Sequence, residues 1–335
     1  MLSDAVTSRS QDAKWKESNH DSRITSHALS GLKGYPSRPV RYVVPFGAGP
    51  TEVLARWLAG KLNEAWRQSV TVENHPGASG LAGTRMVAEA PPDGYTLLAA
   101  NPGPLTVGPC VRNGIGYEPA RDFAPVILMV TVGSVIAAHP GVPARSIGEV
   151  IGLARARPGG FRYGSAGEGT VSHLAMELFN HMAGMKMTHV PRNGLEEAVP
   201  ELVSGRFDLL MLPVPDARPL ALEGRIRALA ATRRTRSELW PELPTVEEAG
   251  VAGFESFNWN GVAAPAGTPR DVVARINGAI NRVLESQDAR DYLAGKGYEI
   301  AGGTPEAFGA FLRAESAKWR QAAKLAGLTP VTSDE

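Results

Sequence analysis

Apolar residues along this chain follow two rhythms. Short β-branched and aliphatic runs predict strands: PVRYVVPF (39–46), SVTVEN (69–74), DGYTLLAAN (93–101, after its turn), FRYGS (161–165), MTHVP (187–191), FDLLMLP (207–213) and IRALAAT (226–232). Between them, apolar positions return every three or four residues. Val53, Leu54, Trp57, Leu58 and Leu62 mark one helix, and TVSHLAMELFNHMAG (170–184) and LEEAVPELVSG (195–205) mark others. Strand–helix alternation favours parallel pairing and an α/β fold.

Two stretches break the alternation. DFAPVILMVTVGSVIAAHP (122–140) is long, apolar and strand-like, and SFNWNGVAAP (256–265) opens a final segment that is mostly helix. The first segment thus has a sheet without its closing helices, and the last has helices without a sheet. The economical solution returns the last to the first. Residues 35–129 plus 256–330 are expected to form one discontinuous domain, and 130–255 an inserted second one. Crossings near 124–132 and 256–264 would act as a two-strand hinge over a ligand cleft. Residues 1–34 are polar, mixed in charge and without the apolar core of a signal peptide, and they read as a disordered tail.

Composition narrows the function. A net charge of +1 gives no broad basic field, so no nucleic-acid partner is expected. The single cysteine, Cys110, allows no intrachain disulfide and has no base beside it. The most apolar run, VILMVTVGSVIAA, is shorter than the roughly 20 residues that span a bilayer.

Candidate chemistry lies in two loops built on one plan. VVPFGAGPTEVLARWL and FRYGSAGEGTVSHLAMELF each run from strand through a Gly-rich loop to helix. Glycine permits close backbone approach, and helix starts offer unpaired N–H groups to anions. GxxxxGK[ST] and GxGxxG are both absent, and neither loop carries Lys or Arg against a polyphosphate, so a carboxylate is the better match. A loop, NPGPLT (101–106), and a turn, HVPRNG (189–194), are expected to follow strands of the two proposed domains. Arg192 there offers a bidentate carboxylate clamp, and Trp259 either floors the cleft or packs in a core.

Other chemistries remain as alternatives. Ser165 with His173 would suit a hydrolase, although GxSxG is absent. His173, Glu177 and His181 share a helix stripe that would suit a metal-assisted enzyme. A ligand-sensing partner of a regulator is a third reading.

The blocks YPSRPVRYVVPF, VENHPGASG, PPDGYTLL, RDFAPV, YGSAGEGTVSHLAMELF, HVPRNG, ELPTVEEAG and APAGTP, in this order from about Tyr35 to Gly327, resemble the Bug-type (TctC-like) receptors of the tripartite tricarboxylate transporter system. The resemblance implies a type II periplasmic-binding-protein fold that closes over a small carboxylate. It implies no catalysis, no cofactor and no metal, a monomer in action, and delivery to membrane transporter subunits. Ligand contacts carry over to Phe46, Gly47, Ala48, Gly49, Thr51 and Glu52 in the first loop. In the second they carry over to Ser165, Ala166, Gly167, Gly169, Thr170 and His173, with Asn101, Arg192 and Asn193 beside them. The family's first loop is usually longer and ends Thr-Asp, where this one has Pro50 and ends Thr51-Glu52. Arg192 stands where tyrosine is usual, which suggests an extra negative charge on the ligand. A periplasmic location is implied, with cytoplasmic retention or another natural start as the alternatives.

Overall fold

The computed structural model of the chain describes residues 34–328, so nearly all of the expected tail lies outside the described residues. A β/α alternation comes first: β1 (Val40–Val44), α1 (Pro50–Trp66), β2 (Val70–Asn74), α2 (Leu81–Ala88) and β3 (Thr96–Ala100). Then come two short helices, α3 (Gly108–Val111) and α4 (Pro119–Asp122), and the long strand β4 (Phe123–Ala138). The middle of the chain holds α5 (Ile147–Ala156), β5 (Arg162–Ser165), α6 (Val171–Met182), β6 (Thr188–Pro191), α7 (Leu195–Val203), β7 (Leu209–Pro213), α8 (Val214–Leu222) and β8 (Arg227–Ala231). The chain closes with β9 (Phe257–Pro265), α9 (Arg270–Leu284), α10 (Gln287–Gly295), β10 (Glu299–Ile300) and α11 (Pro305–Leu325).

One sheet runs through the molecule in the order β2-β1-β3-β9-β4-β7-β5-β6, with β8 and β10 also on β4. β1 pairs in parallel with β2 and β3, and β5 with β6 and β7, as β–α–β connections dictate. β4 and β9, the two predicted crossings, pair antiparallel with each other from Phe123↔Pro265 to Gly133↔Phe257, through two register shifts. Beyond Gly133, β4 continues into the other half and pairs with β7 from Ser134 to Ala138. It is buried along nearly its whole length, which explains its unalternating apolar sequence. The architecture is the two-lobed α/β fold of type II periplasmic binding proteins.

Local signals account for most element boundaries. Pro50 sits in the first turn of α1, where its missing N–H costs nothing. Ser146, Thr170 and Thr304 cap α5, α6 and α11 through hydroxyls that accept backbone N–H groups. On α1 the buried stripe is Leu54, Leu58 and Leu62. Trp57 stacks on Tyr292 at 5.1 Å, and Val53, expected on the apolar face, is 50% exposed.

The α11 helix serves both halves. Phe308, near its start, packs with Trp259, Leu98 and Phe123, whereas Trp319, Ala322 and Ala323 pack in the core that holds Leu174, Phe179 and Met211. No helix among the described residues is long and apolar enough to cross a membrane.

Candidate functional site

Two adjoining cavities lie where the halves meet. One, of about 290 Å³, is bordered by Ala166, Gly169, Thr170, Val171 and Ser172 from the second Gly-rich loop and its helix. The other, of about 380 Å³, is bordered by Phe46, Gly47, Ala48, Gly49, Pro50 and Thr51 from the first loop. Phe46, Gly103, Val171, Pro213 and Asn258 wall both, so the two loops open onto one crevice.

The loops differ in how they spend their donors. Gly49 precedes α1 without any side-chain cap, and Pro50 contributes no N–H, so the start of α1 faces the larger cavity uncapped. A Cβ built on Gly47 or Gly49 meets nothing within 4 Å, so these glycines leave room rather than satisfy a backbone constraint.

The second loop is closed on itself. Ala166 N–H donates to Ser172 Oγ at 3.0 Å, Gly167 N–H to Ser165 Oγ at 3.1 Å, and Gly169 N–H to His173 Nδ1 at 3.0 Å. Thr170 Oγ1 donates to Gly167 O at 2.7 Å. Here glycine is required by conformation: Gly167 and Gly169 have φ of 132° and 69°. The loop also leans on α3, since a Cβ on Gly169 would come within 3.1 Å of Val111 Cγ2.

Beneath that loop is a stack the sequence does not announce. His173 and His189 lie face to face with ring centroids 3.7 Å apart, and Tyr163 stacks on His189 at 4.9 Å. His189 Nε2 pairs with Ser165 Oγ at 2.7 Å, and Tyr163 donates to Glu177. Burial holds both imidazoles down at about 4, with His189 adding to the effect on His173. The histidines are therefore neutral packing and hydrogen-bonding groups at neutral pH.

Several candidates are thus brought to the crevice and others are not. Phe46, Gly47, Ala48, Gly49, Thr51 and Asn101 border the larger cavity, and Ala166, Gly169 and Thr170 the smaller. Ser165 and His173 are buried under the loop, and Gly167 shapes it. Glu52 is ion-paired with Arg56 one turn along α1. Arg192 is held by Glu201 at 2.5 Å and by its neighbour's carbonyl, and Asn193 by Glu197. The serine meets His189, not His173. His181 is exposed and Glu177 is engaged by Tyr163, so the helix stripe does not converge. Among the described residues no group of three or more His, Cys, Asp or Glu is placed to hold a metal ion.

Other lining residues carried no sequence signal. Arg112 and Ser79 face each other on the wall of the smaller cavity, Arg112 Nη2 donating to Ser79 Oγ at 3.2 Å. Asn258, Asn260 and Tyr298 border the larger. The expected loop at 101–106 is helical from Gly103 onward, because Pro104 falls in the first turn where proline is tolerated.

Comparison with known proteins places this chain in a family. The sequence profile described as "Tripartite tricarboxylate transporter family receptor" matches residues 54–328. A Pseudomonas sp. (strain P51) protein, "UPF0065 protein in tcbD-tcbE intergenic region", is 39% identical over 292 residues, 87% of each chain. Among solved structures, "R. palustris Rpa4515 with adipate" is 37% identical with a TM-score of 0.77, covering 89% of this chain and 100% of its own. "MatC (Rpa3494) from Rhodopseudomonas palustris with bound malate" is 30% identical with a TM-score of 0.72, covering 86% and 99%.

Proposed function

We propose, on the premise that this chain belongs to the tripartite tricarboxylate transporter receptor family, that it captures a small organic carboxylate between its lobes and hands it to a membrane transporter. One observation carries the reading: the two Gly-rich loops, more than a hundred residues apart, border cavities that share a wall. The adipate and malate bound by the two R. palustris relatives support the ligand class.

Residues 35–129 with 256–330 move as one lobe in this proposal and 130–255 as the other, flexing at the paired β4 and β9. Ligand favours closure only through contacts that improve in the closed form, so both loops must engage it. The direct contacts we assign are Phe46, Gly47, Ala48, Gly49, Thr51, Asn101, Ala166, Gly169 and Thr170. Ser165, Gly167 and His173 shape the second loop from behind, whereas Glu52, Arg192 and Asn193 are held by Arg56, Glu201 and Glu197 and are assigned no part in the ligand contact. No chemistry is performed, and the protein works as a monomer on the periplasmic side.

Calorimetric titration of the purified, dialysed protein with a panel of organic acids tests this. Saturable binding of at least one carboxylate is expected. A folded sample indifferent to all of them defeats the proposal.

A further inference from the structure

An arginine bridges the two proposed lobes behind the crevice. Alternation along a strand sends successive side chains to opposite faces of the sheet. On β4 and β9, Val132, Ser134, Asn258 and Asn260 border the cavities. Their neighbours Thr131, Gly133 and Phe257 therefore face the other way, under α11, where Phe257 stacks on Phe311 at 6.0 Å.

Arg233 reaches across that far face. It leaves the end of β8, where Thr232 is bonded to the backbone of Ser134. Its stem lies on Gly133, at which a Cβ would stand 3.2 Å from Arg233 Cδ. Its guanidinium lies over the Phe257 ring at 4.9 Å, donates from Nη1 to Thr131 Oγ1 at 2.5 Å, and pairs with Glu299 Oε2 at 2.6 Å. Glu299 belongs to β10 and sits opposite Thr131. Tyr298, the residue before it, borders the larger cavity, as alternation requires. Arg233 lies in the inserted segment and Glu299 in the returning one, so the pair spans the point where β4 passes between the lobes.

The geometry gives this bridge a direction. Bending at β4 and β9 narrows the crevice face of the sheet and widens the opposite one, so each step of closure draws Arg233 away from Glu299. Both cavities are part-open to solvent here, which leaves room for that step. The bridge is also built to yield. Arg233 Nε is buried with no acceptor, an unmade bond that offsets part of the gain from the made ones. Both partners keep some access to water, with side-chain exposures of 20% and 33%.

Resting on the carboxylate-receptor reading and its two lobes, we propose that Arg233 is a positioning residue that braces the open form from behind. A brace that opposes closure lowers apparent affinity by the fraction of molecules able to close. It thereby sets how readily the receptor lets its ligand go.

Calorimetry of the whole dialysed chain with adipate, malate and citrate tests the brace. Arg233→Gln and Glu299→Gln should each bind the responding acid about 3- to 5-fold tighter than the wild type, the upper figure being the worth of a partly exposed ion pair. The double variant should gain no more than either single one, because the two side chains act as one contact. Thr131→Val keeps the shape of a buried side chain and removes one acceptor, so it should shift affinity the same way by about 2-fold. Charge alone would move the two Gln variants in opposite directions, since one removes a cation and the other an anion near an anionic ligand. A merely structural role would lower unfolding stability and leave affinity as it was. Unchanged or weaker binding in Arg233→Gln or Glu299→Gln overturns the brace while the receptor stands. A wild type that binds none of the three acids overturns the receptor reading and the brace with it.

Discussion

Acidification should loosen the second loop from below. The neutral His173–His189 stack supports it: one ring accepts the Gly169 N–H, and the other pairs with Ser165. Both imidazoles titrate at about 4 in the folded protein, against about 6.5 in an unfolded chain. Because the folded values are depressed, the unfolded chain takes up protons first. The stability supplied by the neutral rings is complete above about pH 6.5 and drains away as pH falls toward 4. At pH 5, about 1.5 units below the unfolded value, one fully buried ring has lost about 2 kcal/mol at 1.36 kcal/mol per unit. His173 is 4% exposed and takes that figure, whereas the more accessible His189 takes less, so the pair should lose about 2–3 kcal/mol between pH 7.5 and 5. The charged groups facing the stack are few. Glu177 is occupied by Tyr163, and the loop itself contributes Glu168. Denaturant unfolding from pH 7.5 to 5 should be compared for the wild type and His173→Gln/His189→Gln. Carboxylates common to both cancel in the difference, which should shrink by about 2–3 kcal/mol toward pH 5. Curves that stay parallel within about 0.5 kcal/mol refute the reasoning.

Three further outcomes are expected. Gly164→Ala places a Cβ within 2.2 Å of the buried Phe207 ring. It should cost about 1–3 kcal/mol by overpacking, and Phe207→Leu in the same chain should recover part of the loss in a melting experiment. Thr170→Ala removes the α6 cap and the hydroxyl bond to Gly167 O; unfolding should register about 1 kcal/mol, and carboxylate affinity should fall with it. Arg192→Ala breaks a partly exposed pair with Glu201, so stability should fall by no more than about 1 kcal/mol and calorimetry should show ligand affinity unchanged.

The strands were legible wherever burial leaves a local mark. The β4 run is apolar because both its faces are covered, and α6 announces itself by its Thr170 cap and apolar stripe. The 101–106 segment misled because proline and glycine signal turns, yet two prolines also fit the first turns of short helices. Pairings across the fold left no trace. Nothing local ties Ser165 to His189, 24 positions on, and Arg192 finds Glu201 only once α7 is wound. The unpartnered indole N–H of Trp259 is likewise invisible in sequence, since an unsatisfied group is defined by what fails to surround it. The Gly-rich loops were found as a pair, but only coordinates separate the one that keeps its amides available from the one that consumes them.

The reach of α11 bears on any attempt to divide this protein. Cutting the gene at the β4 and β9 crossings would give an excised middle piece lacking Trp319, Ala322 and Ala323, and hence a tryptophan-sized hole in its interior. Such a fragment should stay molten until a peptide spanning residues 305–328 is added in trans. Complementation of that kind would make the last helix a detachable clasp, and it offers a split-protein format in which reassembly itself reports on the bound acid.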